Sequence, residues 1–421
     1  MGKLSLRTWT VLERISTDPH LNEHVGLILD EVLVEVTQAI HLQATGSQST
    51  DLATGFAKFF SAVRSHITPH IAHEANNSLS AGGYFTAFLE CELSQHAADI
   101  DCPTDEAPET NRAIYASRKL SLSRCLANTG RHDEALKAAR EATSLYRTLA
   151  KHNSAAYTPR LATSLNNLAG SQAENGQLDE ALQTAQEATN LYRTLTKHNP
   201  AAYTPRLATS LNNLAVYLAN NGQQHEALQT AREATSLYRT LAKHNPAAYT
   251  PRLATSLNNL ANSQAENGLL DEALQTAQEA ATIRRELAKH NSAAYTPDLA
   301  TSLNNLAVYL ANNGQQHEAL QTAQEAVTIH RQLAKHNPAA YTPRLARSLN
   351  NLAGSQAENG LLDEALQTAR EATSLYRTLA KHNSAAYTPR LARSLNNLAV
   401  YLANNGQQHE ALQTAQEAVT I

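Results

Sequence analysis

The stretch AAYTPRLATSLNNLA, Ala155–Ala169, occurs in six close copies, the last at Ala385–Ala399. Its tyrosine recurs as Tyr157, Tyr203, Tyr249, Tyr295, Tyr341 and Tyr387, each 46 residues from the next. A glutamate in a second phrase, EAL, recurs seven times at the same interval, from Glu134 to Glu410. A fixed period of this length marks a solenoid: one unit cannot bury its apolar face alone, so units stack and share a continuous core.

The unit itself reads as two helices. Leu161, Leu165, Leu168, Ala169 and Gln172 fall on one helical stripe, and Gly176 supplies the left-handed residue that ends a helix. Thr158 and Pro159 are expected as N-cap and first helical residue, since proline's missing N–H costs nothing there. A second helix is expected from Leu178 to about Thr196, with Ala181, Leu182, Ala185, Ala188, Tyr192 and Leu195 as its stripe. The alanines let the two helices approach closely as an antiparallel pair. KHNPAAY is left as a connector in which Asn199 and Pro200 start a single capped turn.

A 92-residue period overlies the first. The first helix alternates between GSQAENG or NSQAENG (Gly170, Asn262, Gly354) and VYLANNG (Val216, Val308, Val400). The earliest copy departs from the others, with Lys119 in place of leucine and Leu120 in place of asparagine, as suits a unit that meets something other than a repeat. The last copy reaches Ile421 inside its second helix, which leaves an apolar edge open to pairing or oligomerisation.

Leu165, Leu168, Ala169, Gly176, Ala181 and Ala188 resemble the large, large, small, turn and small positions of the tetratricopeptide repeat. The SLNNLA core followed by EAL is most similar to the kinesin-light-chain variety. The unit exceeds that family's 34-residue length by 12, and Arg193 stands where the closing proline is usual. The resemblance implies an all-α fold, a right-handed superhelical solenoid of antiparallel helix pairs, over residues 112–421, in about seven repeats with the last truncated.

Upstream the chain has a different character. All five phenylalanines and the single Trp9 lie before residue 112, and every aromatic residue after it is tyrosine. Residues 1–98 read as a smaller helical segment, with HVGLILDEVLVEVTQAI (His24–Ile40), Asp51–Val63 and Gly83–Leu93 as amphipathic stretches. AGGYFTA at Ala81–Ala87 is a candidate decayed repeat. The acidic DIDCPTDEAPET falls within a linker spanning 99–111.

The net charge of −4 divides unevenly: 5 Lys+Arg against 15 Asp+Glu in residues 1–111, and 29 against 23 thereafter. Neither part has the dense basic tract that a phosphate backbone favours, so nucleic acid is not an expected partner. The start lacks the apolar core of a secretory signal, and no window has the 18 apolar residues of a membrane span, which gives a cytoplasmic expectation. Cys91, Cys102 and Cys125, odd in number and irregularly spaced, read as reduced thiols.

No nucleotide-binding, nucleophile-elbow or metalloprotease motif is present, and neither an enzyme nor a cofactor is expected. His66, His70, His73 and Glu74 are the best metal candidate, but Thr68-Pro69 separates His66 from the helix of the others, and a surface histidine cluster is the simpler reading. Six histidines of KHN, from His152 to His382, and His225, His317 and His409 recur too often to be catalytic. The carboxylates Glu174, Asp179 and Glu180 recur as well, and a helix N-terminus explains the last two.

The paired asparagines are the candidate site. Asn167, Asn213, Asn259, Asn305, Asn351 and Asn397 are expected as a ladder on a concave wall, with Asn166, Asn212, Asn258, Asn304, Asn350 and Asn396 beside them. An amide offers both a donor and an acceptor to the backbone of an extended peptide, and equally to a neighbouring helix. Threonine at 163, 209, 255 and 301 gives way to Arg347 and Arg393, guanidiniums suited to carboxylate or phosphate. The expected function is a scaffold that binds a partner peptide with an acidic residue near Arg347. The alternative is a sensor or oligomerisation arm of a larger signalling protein with a nucleotide-binding or protease-like module. A third reading, an enzyme in residues 1–111, is carried by no motif.

Overall fold

The computed structural model describes Gln95 and residues 107–421. The helices expected before residue 95, the sequence at Ala81–Ala87, Cys91, Cys102, the histidine cluster at 66–73 and most of the linker lie outside the described residues. Residues 109–420 form fourteen α-helices, with no strand among the described residues. They come in pairs, the first of each pair called A and the second B. The pairs are α1 (Glu109–Asn128) with α2 (His132–His152), α3 (Ser154–Glu174) with α4 (Leu178–His198), and α5 (Pro200–Asn220) with α6 (Gln224–His244). There follow α7 (Pro246–Glu266) with α8 (Leu270–His290) and α9 (Ser292–Asn312) with α10 (Gln316–His336). The last are α11 (Pro338–Glu358) with α12 (Leu362–His382) and α13 (Ser384–Asn404) with α14 (Gln408–Thr420).

Two compact units divide the chain between Tyr203 and Thr204. In the first, α1 to α4 pack each on the next. In the second, α6 to α14 do the same, and the A helices α7, α9, α11 and α13 also touch in succession. That contact between like helices is what brings equivalent residues of neighbouring repeats side by side.

The A helix begins earlier than Thr158 and Pro159 suggest. Its N-cap is the asparagine of KHN: Asn153 Oδ1 accepts from the Ala156 N–H at 3.2 Å, and Asn245 does the same for Ala248. Capping of an orphan N–H by an asparagine outweighs the signal of Thr-Pro, and Pro159 lies inside the helix with one backbone bond forgone. The B helix runs to His198 instead of Thr196. KHNPAAY is therefore not a connector: KH closes one helix, the asparagine alone links, and PAAY opens the next. Two helices of 21 residues, one linking asparagine and a three-residue turn fill the 46-residue period.

The turn after the A helix is closed as expected. Gly176 takes φ 75°, its N–H bonds Ala173 O at 3.0 Å, and the Gln177 N–H reaches Gln172 O at 2.9 Å. The preceding asparagine reaches across to the previous repeat: Asn267 Nδ2 donates to Gln224 O at 2.9 Å, and Asn359 to Gln316 O at 2.9 Å. The buried stripe is the expected one, and Leu257 packs between repeats with Ala208, Tyr238, Leu253 and Ala280. Burying each such leucine contributes about 1.5–3 kcal/mol. The earliest copy accommodates Lys119 by an ion pair with Glu141 at 2.9 Å and by placing its ammonium over the Tyr115 ring.

The alternation of 92 residues has a packing reason. Tyr309 is buried and its hydroxyl donates to Asn262 of the repeat before it. Tyr401 lies against Gly354, where an added Cβ would sit 3.6 Å from its oxygen. The tyrosine of one A helix thus packs against the Asn262 or Gly354 position of the serine-bearing A helix in front of it.

Candidate functional site

The asparagine pairs lie on the A helices, and the structure separates their roles. Three first members, Asn258, Asn304 and Asn350, work between repeats: Asn258 Nδ2 donates to Ser302 Oγ at 2.8 Å, and Asn350 Oδ1 accepts from Ser394 Oγ at 3.0 Å. Asn304 is buried and accepts from Asn351 at 3.1 Å. Asn396 is exposed, while Asn166 and Asn212 are half-buried. Of the second members, Asn167, Asn213, Asn259, Asn305 and Asn397 are half-buried, and Asn259 and Asn397 line clefts. None of these five amides bonds a described residue.

Within the second unit a cleft of about 520 Å³ crosses three A helices, α9, α11 and α13. Arg347 and Arg393, with Asn350, Asn351 and Asn397, line it, so most of the expected C-terminal site residues come together. Two further guanidiniums join them: Arg344 and Arg390, each over a tyrosine ring, Tyr341 and Tyr387, at 5.6 Å. Although Arg347 reaches solvent, desolvation of its guanidinium lowers its pKa; Tyr376 acts against this, and Arg390 and Arg344 add to it. Four like charges in one cleft repel each other until an anion enters.

The one carboxylate on the wall, Asp298, is already engaged. It stands where other copies carry Arg160, Arg206, Arg252, Arg344 and Arg390, and it bonds the buried Arg284 at 2.9 Å. Arg284 in turn occupies a position that is tyrosine at 146, 192, 238 and 376. Two of those tyrosines meet a threonine through the hydroxyl, Tyr192 with Thr163 and Tyr238 with Thr209, both at 2.7 Å. Arg284 reproduces that contact with Thr255 at 2.6 Å while exchanging charge with the next A helix.

His330 is the second exception in the same column. It is fully buried, and its Nδ1 lies 2.9 Å from Ser348 Oγ. In other copies that serine meets a threonine, as in Thr373 with Ser394 at 2.9 Å, but Val327 has no hydroxyl to offer. Burial, then Arg347 and Arg344, push the His330 pKa down to about 4, so the imidazole is neutral. Sequence reasoning missed Arg284, Asp298, His330 and Arg344. Aligning the copies column by column and reading only the exceptions is the signal that finds the first three.

The remaining candidates take structural places. The histidines of KHN end the B helices, where positive charge is favoured. His225 and His317 lie 2.8 and 2.9 Å from Gln229 and Gln321. Glu174 pairs with His132 at 3.1 Å and Glu272 with Arg232 at 2.9 Å. Cys125 is a buried free thiol. Among the described residues no three His, Cys, Asp or Glu side chains cluster as metal ligands, and no helix is long and apolar enough to cross a membrane.

With glycine-closed, alanine-lined helix pairs repeated in register, the comparison with known families is specific. The family model for the tetratricopeptide repeat matches residues 207–246, 253–293, 299–338 and 391–421. Over those residues the solenoid is built of tetratricopeptide repeats. The model for anaphase-promoting complex subunit 5 matches residues 77–158 and 147–203. No curated protein sequence matches the chain. Among solved structures, the quorum sensor NprR of B. thuringiensis, in its apo form, is similar at a TM-score of 0.55 and 12% identity, over 94% of this chain and 99% of that one. Aspartyl phosphate phosphatase F of Bacillus subtilis gives 0.52 at 13% identity, over 93% of each chain. The Rap conjugation gene regulator of plasmid pLS20, in complex with the Phr* peptide, gives 0.50 at 12% identity over 92% and 94%. At these identities the likeness is one of fold.

Proposed function

We propose that the protein is a non-enzymatic scaffold whose A-helix wall binds an extended segment of a partner protein, with an acidic group of that segment at Arg347 and Arg393. The observation that carries this is the unequal use of the asparagine pairs. The first members Asn258, Asn304 and Asn350 join repeats, whereas of the second members Asn213, Asn259, Asn305 and Asn397 keep half-buried amides with donors and acceptors unspent. Spare amides on successive A helices, α11 excepted, match the alternating N–H and C=O of extended backbone. The charged cleft at one end of this row supplies direction. The complex of the plasmid pLS20 regulator with the Phr* peptide supports the reading, because a protein of similar fold binds a peptide.

Panning a random-peptide display library against the full chain tests it. Peptides enriched by the wild type are expected to carry acidic residues and to be lost from an Asn259→Ala, Asn305→Ala variant that keeps its helical circular dichroism. Equal retention by that variant, with no acidic preference, would move these asparagines into a purely structural role and end the reading.

A further inference from the structure

We propose that the arginine cleft is a receptor for a doubly charged phosphoryl group on the partner segment, in preference to a single carboxylate; this rests on the peptide-binding reading above. The charge count favours it. Arg344, Arg347, Arg390 and Arg393 face a cleft whose one lining carboxylate, Asp298, is bonded to Arg284 at 2.9 Å. A carboxylate brings one charge and two oxygens. A phosphomonoester brings about −1.5 to −2 and three strong acceptor oxygens, which suits guanidiniums arriving as two pairs from two helices.

The arrangement is also built for the purpose and not inherited from the repeat. Arg344 and Arg390 have counterparts at Arg160, Arg206 and Arg252, but Arg347 and Arg393 replace the threonine of positions 163, 209, 255 and 301. The added arginine stands three residues after the inherited one on α11 and again on α13, one helical turn away, so each helix offers two guanidiniums on one face. Tyr341 and Tyr387 hold the inherited pair in place, so little side-chain freedom is lost on binding. The cleft of about 520 Å³ has room for a phosphorylated side chain and its flanking residues, and the unengaged amide of Asn397 lies on the same wall.

Fluorescence anisotropy with the full chain at physiological ionic strength tests this. The probes are labelled Gly-Ala-X-Ala-Gly peptides with X as phosphoserine, glutamate, two consecutive glutamates, or serine, together with inorganic phosphate as competitor. The phosphoserine peptide is expected to bind at least about tenfold more tightly than the single-glutamate peptide. That preference should vanish in Arg347→Thr, Arg393→Thr, which restores the residue native to four other copies and so keeps the fold. Equal binding of the two-glutamate and phosphoserine peptides would overturn the phosphoryl proposal and leave the peptide reading standing. Inorganic phosphate binding as tightly as the phosphopeptide, with the same arginine dependence, would keep the anion site and remove the peptide. A preference that survives in the threonine variant would overturn the siting.

Discussion

At His330 the repeat departs from its own rule, and stability should record it. The imidazole is fully buried and its pKa lies near 4, against an ordinary value of about 6.5. As pH falls the unfolded chain takes up the proton first, so the contribution is complete above about pH 6.5 and is lost progressively down to about pH 4. The loss amounts to about 3 kcal/mol at most. Hydrogen exchange of α10 and α11 at pH 7 and pH 4.5 checks it: protection should fall more in the wild type than in His330→Tyr, which restores the residue of four other copies. Arg284 gives a second prediction. Asp298→Ala leaves a buried guanidinium with only Thr255 and should lower stability by about 1–3 kcal/mol. The double exchange Arg284→Tyr, Asp298→Arg, which recreates the common pair, should recover most of that in denaturant titration. An equal loss in both variants would deny that the two positions are coupled.

Among the elements, the A helix shows local signals in competition. Thr-Pro is a strong start signal, yet the asparagine five residues before the threonine caps the helix in six copies with side-chain bonds of 3.1–3.2 Å. Asn245→Ala should therefore destabilise by about 1 kcal/mol, whereas Thr250→Ala should be near neutral. Pro251→Ala restores a backbone donor inside α7 and should stabilise by about 1–3 kcal/mol, read as a higher denaturation midpoint. The helix pair, its turn glycine and its buried stripe were legible because they depend on residues within one turn of each other. The bounds were not, because proline's cost in a helix is offset by the five further helical residues before it, Ser154–Thr158, and their asparagine cap.

For the second unit as a whole, the pairing of repeats matters more than their number. Arg239, Arg285, Arg331 and Arg377 each reach a glutamate forty residues on, Glu279, Glu325, Glu371 and Glu417, along the exposed B helices. Such exposed pairs contribute only about 0.2–1 kcal/mol each. The tyrosine contact between A helices is worth more. Deleting 92 residues, 270–361, keeps every tyrosine-bearing helix behind a serine-bearing one and should leave a shorter, cooperatively folded chain. Deleting 46 residues, 270–315, joins two serine-bearing repeats and leaves the space that Tyr309 fills. That junction should be weaker by about 3 kcal/mol, and calorimetry of the two deletions compares them directly. A 46-residue deletion as stable as the 92-residue one would deny the alternation a packing role.

Composition and period by themselves determined that this chain is a stack of helix pairs, because a repeat's core positions are set by spacing within one unit. They also marked the asparagine column and the two added arginines, since a change in one copy stands out against the others. What only the tertiary structure decided is which asparagines are spent between repeats, and that Arg344 and Arg390 meet Arg347 and Arg393 in one cleft while Asp298 is withdrawn to Arg284. The asparagine and arginine outcomes depend on side chains more than forty residues apart, brought together by contact of one A helix with the next, and the Arg284–Asp298 bond on a B helix packing against the A helix that follows it. A periodic sequence names the columns of such an array, but the angle and distance between columns come from packing.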